Sequence, residues 1–221
     1  MFNRLLDRLE ARIGRHNGIP NLMTIIIVGM AATFIADMFL PAITGQNMSS
    51  LLMFDKAAIL RGQIWRVLTF VFIPPNSSII FIIFSLMFYW MLGNSLQAEW
   101  GSFRFTAYYV CGMIGSVIAG TITGYATSYY INMSLFLAVA IIAPNMELNL
   151  YGILPVKMKW MAVIYLIPIV MDLVGGTWPT RIAVIVSLLN VILFFYGNVE
   201  TRIRDAWRRY QWKKNWRKGW K

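Results

Sequence analysis

The 221-residue chain is 58% hydrophobic and only 13% charged, with a mean hydropathy of +0.61, whereas a soluble domain carries about 25% charged and 45–50% apolar residues. So few charges cannot cover a water-soluble globule, which excludes that class and points to a body whose surface meets lipid. The net charge of +11 raises nucleic acid as a partner, but thirteen of the twenty Lys and Arg lie in the two terminal segments; basic ends around an apolar body suit anionic headgroups, and nucleic acid is not the expected partner.

In chain order, residues 1–20 read as an interfacial amphipathic helix. Phe2, Leu5, Leu6, Leu9 and Ile13 recur at helical spacing. Arg4, Arg8, Arg12 and Arg15 occupy much of the remainder, and a helix of this kind lies in the membrane interface rather than across it. Gly18, Pro20 and Asn21 break it before a first span over about 22–41. That span is expected to be retained rather than cleaved as a signal, since its leader is long and no small-residue cleavage site precedes Pro41. Residues 42–77 alternate apolar stretches with isolated charges and end in Ile73-Pro74-Pro75. They are too apolar for a solvated loop and too broken for a span, so a membrane-dipping loop is expected.

Further spans are expected over about 78–97, 104–124, 131–147, 159–175 and 181–198, each near the length that crosses a bilayer. In the third, Gly112, Ser116, Gly120 and Gly124 fall at a strict four-residue interval. Small residues so spaced form a groove for close helix approach; the alternative is chance in a Gly-bearing membrane helix. Residues 21–200 thus form one membrane domain, followed by a basic tail over 201–221. In that tail Trp212, Trp216 and Trp220 recur every four residues among nine cations. Indoles at headgroup level with cations toward anionic lipid explain this. The rival reading, an arm for RNA, is weaker because the tail directly follows a span.

With both ends on one side, sixteen Lys and Arg collect there: those of the two termini together with Arg104, Lys157 and Lys159. Four, Lys56, Arg61, Arg66 and Arg181, fall on the other. Cations gather on the cytoplasmic side, so both termini are expected in the cytoplasm, in the plasma membrane of a prokaryote. One cysteine, Cys111, and one histidine, His16, leave no His/Cys metal site, and no Gly-rich phosphate-cradling Lys motif is present. No metal or cofactor is expected.

Three stretches carry a resemblance. Gly62-Gln63-Ile64-Trp65-Arg66-Val67-Leu68-Thr69 resembles the Trp-Arg motif in the membrane-dipping first loop of the rhomboid superfamily of intramembrane serine proteases, which includes inactive relatives such as the derlins. The stretch from Gly93 through Glu99 and Gly101 to Arg104-Phe105 is similar to the pattern joining that family's second and third spans. Pro144-Asn145, followed by Ile153-Leu154-Pro155-Val156-Lys157-Met158-Lys159-Trp160, looks like its turn from span four to span five. The likeness covers roughly 61–198 and implies an all-α, six-helix rhomboid-like bundle with an embedded first loop. Trp65 would then sit in the interface and the Arg66 guanidinium against headgroups or carbonyls; an ordinary interfacial Trp-Arg pair is the plainer alternative.

Active members of that family use a Ser in a Gly-x-Ser-Gly motif on span four, with a His on span six as base. Neither is found here. The region reads Tyr125-Ala126-Thr127-Ser128-Tyr129-Tyr130-Ile131-Asn132-Met133-Ser134, and span six has Ser187 or a neighbour where the His would stand. The His and Asn that active members carry on span two are missing as well. The acids within spans, Asp37 and Asp172, lie toward the same face as Ser128 and Ser134, so an Asp–Ser site of noncanonical chemistry is the second reading. Interfacial positions, or pairing with Arg66 or Arg181, explain them better.

The favoured expectation is a catalytically dead rhomboid-like protein that binds transmembrane segments of other proteins. Asn94, Ser187 and Asn190 would be the polar groups that read them. Transport of a small solute or ion is a further class, weakened by the near absence of mid-membrane charge and of internal repeats. Derlins carry a longer cytosolic tail that can recruit an ATPase, so a role in protein extraction does not transfer to this short, basic tail.

Overall fold

The computed structural model describes residues 2–14, 17–75, 78–150 and 154–195. Its helices are α1 (Phe2–Ile13), α2 (Leu22–Thr44), α3 (Met48–Leu52), α4 (Lys56–Leu60), α5 (Arg66–Thr69), α6 (Ile79–Trp100), α7 (Ser102–Thr123), α8 (Tyr129–Ile142), α9 (Met158–Gly175) and α10 (Trp178–Phe195). Two small antiparallel ladders accompany them: β1 (Phe54–Asp55) with β2 (Tyr125–Ala126), and β3 (Glu147–Leu150) with β4 (Leu154–Lys157). The chain is an all-α membrane bundle. Five helices, α2, α6, α7, α9 and α10, are long and apolar enough to cross a bilayer.

The fourth expected span is different in kind. Helix α8 has 14 residues, about 21 Å at 1.5 Å per residue, short of the roughly 30 Å hydrocarbon core. Every residue from Ile131 to Ala140 is buried. A helix apolar on all sides belongs inside a bundle, and α8 stands there, packed by α6, α7 and α9. It ends five residues before the expected 147, because Pro144 disfavours helical geometry at Ala143 (φ −122, ψ 62); the chain then turns into the β3–β4 hairpin. Two other boundaries shift. Helix α2 runs through Pro41 to a left-handed cap at Gly45 (φ 71). Helix α10 starts at Trp178, with Pro179 in its first turn, where a missing N–H costs nothing.

Glycines set the closest approaches. Gly101 alone joins α6 to α7 at φ 83, ψ 164, a region essentially confined to glycine. A Cβ at Gly93 would overlap Met23 Cβ and Cγ, so α6 and α2 cross with backbone nearly touching side chain. On α7, a Cβ at Gly115 would lie 2.6 Å from Val186 of α10. At the same end as the α6–α7 joint, Trp100 packs on Tyr108, Phe194 and Phe195, tying that joint to α10.

Helix α1 lies across the start of α7. Leu6 is buried, and Arg104 is paired with both Asp7 and Glu10. Beyond it, Ile19 N donates to Thr106 Oγ1 at 3.0 Å. Arg15, His16 and the tail with Trp212, Trp216 and Trp220 lie outside the described residues.

Candidate functional site

The opposite end of the bundle is built around the segment between α2 and α6. It is a folded unit: α3, β1, α4, α5 and a 3-10 turn (Phe70–Phe72) follow one another. Arg66, buried at 7% exposure, holds it together. Its Nη1 donates to the carbonyls of Ser50 (2.8 Å) and Met53 (2.9 Å), and its Nε to Gln63 Oε1 (2.7 Å). Thr69 Oγ1 adds a bond to the Leu52 carbonyl at 3.1 Å. Trp65 is half exposed, with Nε1 3.4 Å from the Leu51 carbonyl. Leu60, Ile64 and Leu68 are exposed beside it, so the unit turns an apolar edge outward.

Asp37 is not paired with Arg66. It caps α3, accepting from the backbone N–H and the hydroxyl of Ser49. Nor is Asp172 paired with Arg181, which donates to the Val174 carbonyl at 2.6 Å. Among the described residues the ion pairs are those of Arg104 and Lys157–Glu147. Arg66 and Arg181 find carbonyls because their helix ends offer unpaired ones, and a carbonyl is a neutral partner with a smaller desolvation cost.

Strand β1 docks the unit onto the bundle. Phe54 pairs with Ala126, and its ring, edge-on to Phe70 at 6.3 Å, fills the space over Gly120, where a Cβ would come within 2.7 Å of it. The four small residues of α7 therefore serve different neighbours. Gly112 makes room for Asn190 of α10 and Ile131 of α8, Gly120 for Phe54, while Ser116 lines a cavity. Gly124 is the left-handed cap of α7 (φ 87), with nothing near where a Cβ would be.

That cavity, about 180 Å³, lies between α7, the turn into α8 and the first turns of α10. Six residues that bear hydroxyls, Ser116, Tyr125, Thr127, Tyr129, Tyr130 and Thr180, line it with Ala119, Ala126, Pro179 and Ala183. No histidine, carboxylate or amine is among them. Ser128 is buried just behind, its hydroxyl 3.5 Å from the Ile73 carbonyl. Ser134 bonds the Ile131 carbonyl at 2.7 Å, which leaves its proton engaged within its own helix. Ser187 is buried with no hydrogen-bond partner among the described residues. No acid or imidazole among the described residues hydrogen-bonds to any of these three serines.

Sequence reasoning did not find this cavity, since Tyr129, Tyr130 and Thr180 carry no motif. Ser187 and Asn190, expected to read a client from lipid, face inward instead; Asn190 Nδ2 lies 3.4 Å from the Tyr108 carbonyl. Glu99 is exposed near the end of α6. No group of residues able to hold a metal ion occurs among the described ones.

A family model described as Rhomboid domain matches residues 61–199. No curated protein matches the chain.

Proposed function

Because the chain belongs to the rhomboid family, we propose that it is a pseudoprotease of that family, which binds membrane-protein clients in the bilayer without cleaving them. One observation carries this reading: the recess at the head of α8 is lined by hydroxyl-bearing residues and, among the described residues, by no histidine, carboxylate or amine. A serine hydroxyl near neutral pH is a poor nucleophile unless a base within hydrogen-bond reach takes its proton. The chain's single histidine, His16, lies outside the described residues and outside every expected span. What remains is a wall of hydroxyls and rings able to donate and accept hydrogen bonds. An unwound stretch of a client helix presents unpaired carbonyls and N–H groups, which such a wall can satisfy.

The test is a cleavage assay on purified, folded protein in liposomes, against a panel of fluorogenic transmembrane substrates and with a serine-directed covalent probe. We expect neither turnover nor labelling, together with crosslinks between client helices and residues of the recess. Turnover abolished by Ser128→Ala, Ser134→Ala or Ser187→Ala would overturn the reading and identify the nucleophile.

The orientation that goes with this reading puts α1 on the cytoplasmic side of a prokaryotic plasma membrane, on the strength of the Lys and Arg distribution. In a Cys111→Ser background, an impermeant maleimide should label Gln46→Cys in intact cells and Ala11→Cys only after lysis. The reverse pattern would invert the topology.

A further inference from the structure

Helix α1 divides its charges. Asp7 and Glu10 turn toward the bundle, where both meet Arg104. Arg8 and Arg12 are exposed on the other side. Between the two sets runs an apolar strip of which Leu6 is buried against the bundle while Leu9 is 48% exposed. The acids that would otherwise neutralise the arginines along the helix are thus taken by Arg104. What faces outward is a pair of cations beside an uncovered leucine, the pattern of a helix with its apolar edge in the acyl boundary and its cations at phosphates.

We propose that α1 is a docking surface for anionic phospholipid headgroups of the bilayer that carries the protein, and that Arg104 acts as a positioning residue by fixing the rotation of α1. Anionic lipid, rather than an acidic protein, is the matching occupant because the cations adjoin an exposed aliphatic side chain on a helix strapped to a membrane bundle. Two arginines near an anionic surface correspond to roughly a 30-fold shift in the docked-to-undocked ratio.

The test uses the full chain with Cys111→Ser, carrying an environment-sensitive fluorophore at Leu9→Cys or Ala11→Cys. It is reconstituted in phosphatidylcholine alone or in an equal mixture with phosphatidylglycerol, and read by iodide quenching. The expected result is protection at position 9, not at 11, and only with phosphatidylglycerol. Arg8→Gln with Arg12→Gln should abolish that protection in protein that stays monodisperse. Arg104→Gln should erase the contrast between positions 9 and 11 while leaving the lipid dependence in place. Equal quenching at position 9 in both lipid compositions, or protection that survives loss of both arginines, would overturn the lipid assignment. A contrast that survives Arg104→Gln would overturn the positioning role.

Discussion

Arg66→Leu should release the α2–α6 segment from its docked form at a cost of about 3–5 kcal/mol. The guanidinium makes three hydrogen bonds, two of them to backbone carbonyls of Ser50 and Met53 that no helix or strand satisfies. Bonds to a charged donor contribute about 1.5–3 kcal/mol each, and removing the donor leaves the carbonyls unpartnered. Arg66→Lys should recover only part, since an ammonium lacks the planar fork that spans two acceptors. Chemical unfolding in detergent gives the energy, and amide hydrogen exchange over residues 48–55 locates it. The effect should reach the recess, because Phe54 pairs with Ala126 in its wall. Unchanged exchange in Arg66→Leu would show that the segment is held by other contacts.

Gly93→Ala should destabilise the bundle by about 1–3 kcal/mol, the range for forcing extra volume into a packed site. Ordinarily Gly→Ala within a helix is favourable by up to about 1 kcal/mol, so the expected sign is itself diagnostic. The added carbon would overlap Met23 Cβ, which, unlike a flexible chain end, cannot move aside without moving α2. Gly175→Ala is the control: it sits in α9 with nothing within 4 Å of the new methyl and should be neutral or slightly stabilising. Pairing Gly93→Ala with Met23→Gly should give a non-additive recovery, as expected for residues in direct contact. Simple additivity would mean the two helices do not cross there as closely as described.

These expectations bear on function through one mechanical link. The segment carrying Trp65 and Arg66 is joined by β1 and β2 to the turn that walls the recess. The exposed apolar edge and the recess are therefore joined through the β1–β2 pairing.

The amino-acid sequence by itself determined the class, the approximate spans and the family. Twenty-residue apolar runs cannot be hidden in water, and a Trp-Arg motif, a Gly–Glu–Gly pattern and a Pro-Asn turn in order are independent of how helices face one another. The lack of a span-six histidine was equally legible, because it is a matter of composition. Only the tertiary structure decided which side of each helix is interior. In a soluble protein the apolar stripe marks the core, but lipid is as apolar as the core, so α2, α6 and α7 offer no such stripe. For that reason the crossing of Gly93 on Met23, the seat of Phe54 over Gly120, and the inward placement of Ser187 and Asn190 could not be read from spacing. The partners of the charged residues were hidden for a related reason. Arg66, Asp37 and Arg181 bond to backbone groups, a hydroxyl and the Gln63 amide oxygen, not to each other. Such partners are set by where helix ends meet, a property of the fold that side-chain charge does not encode.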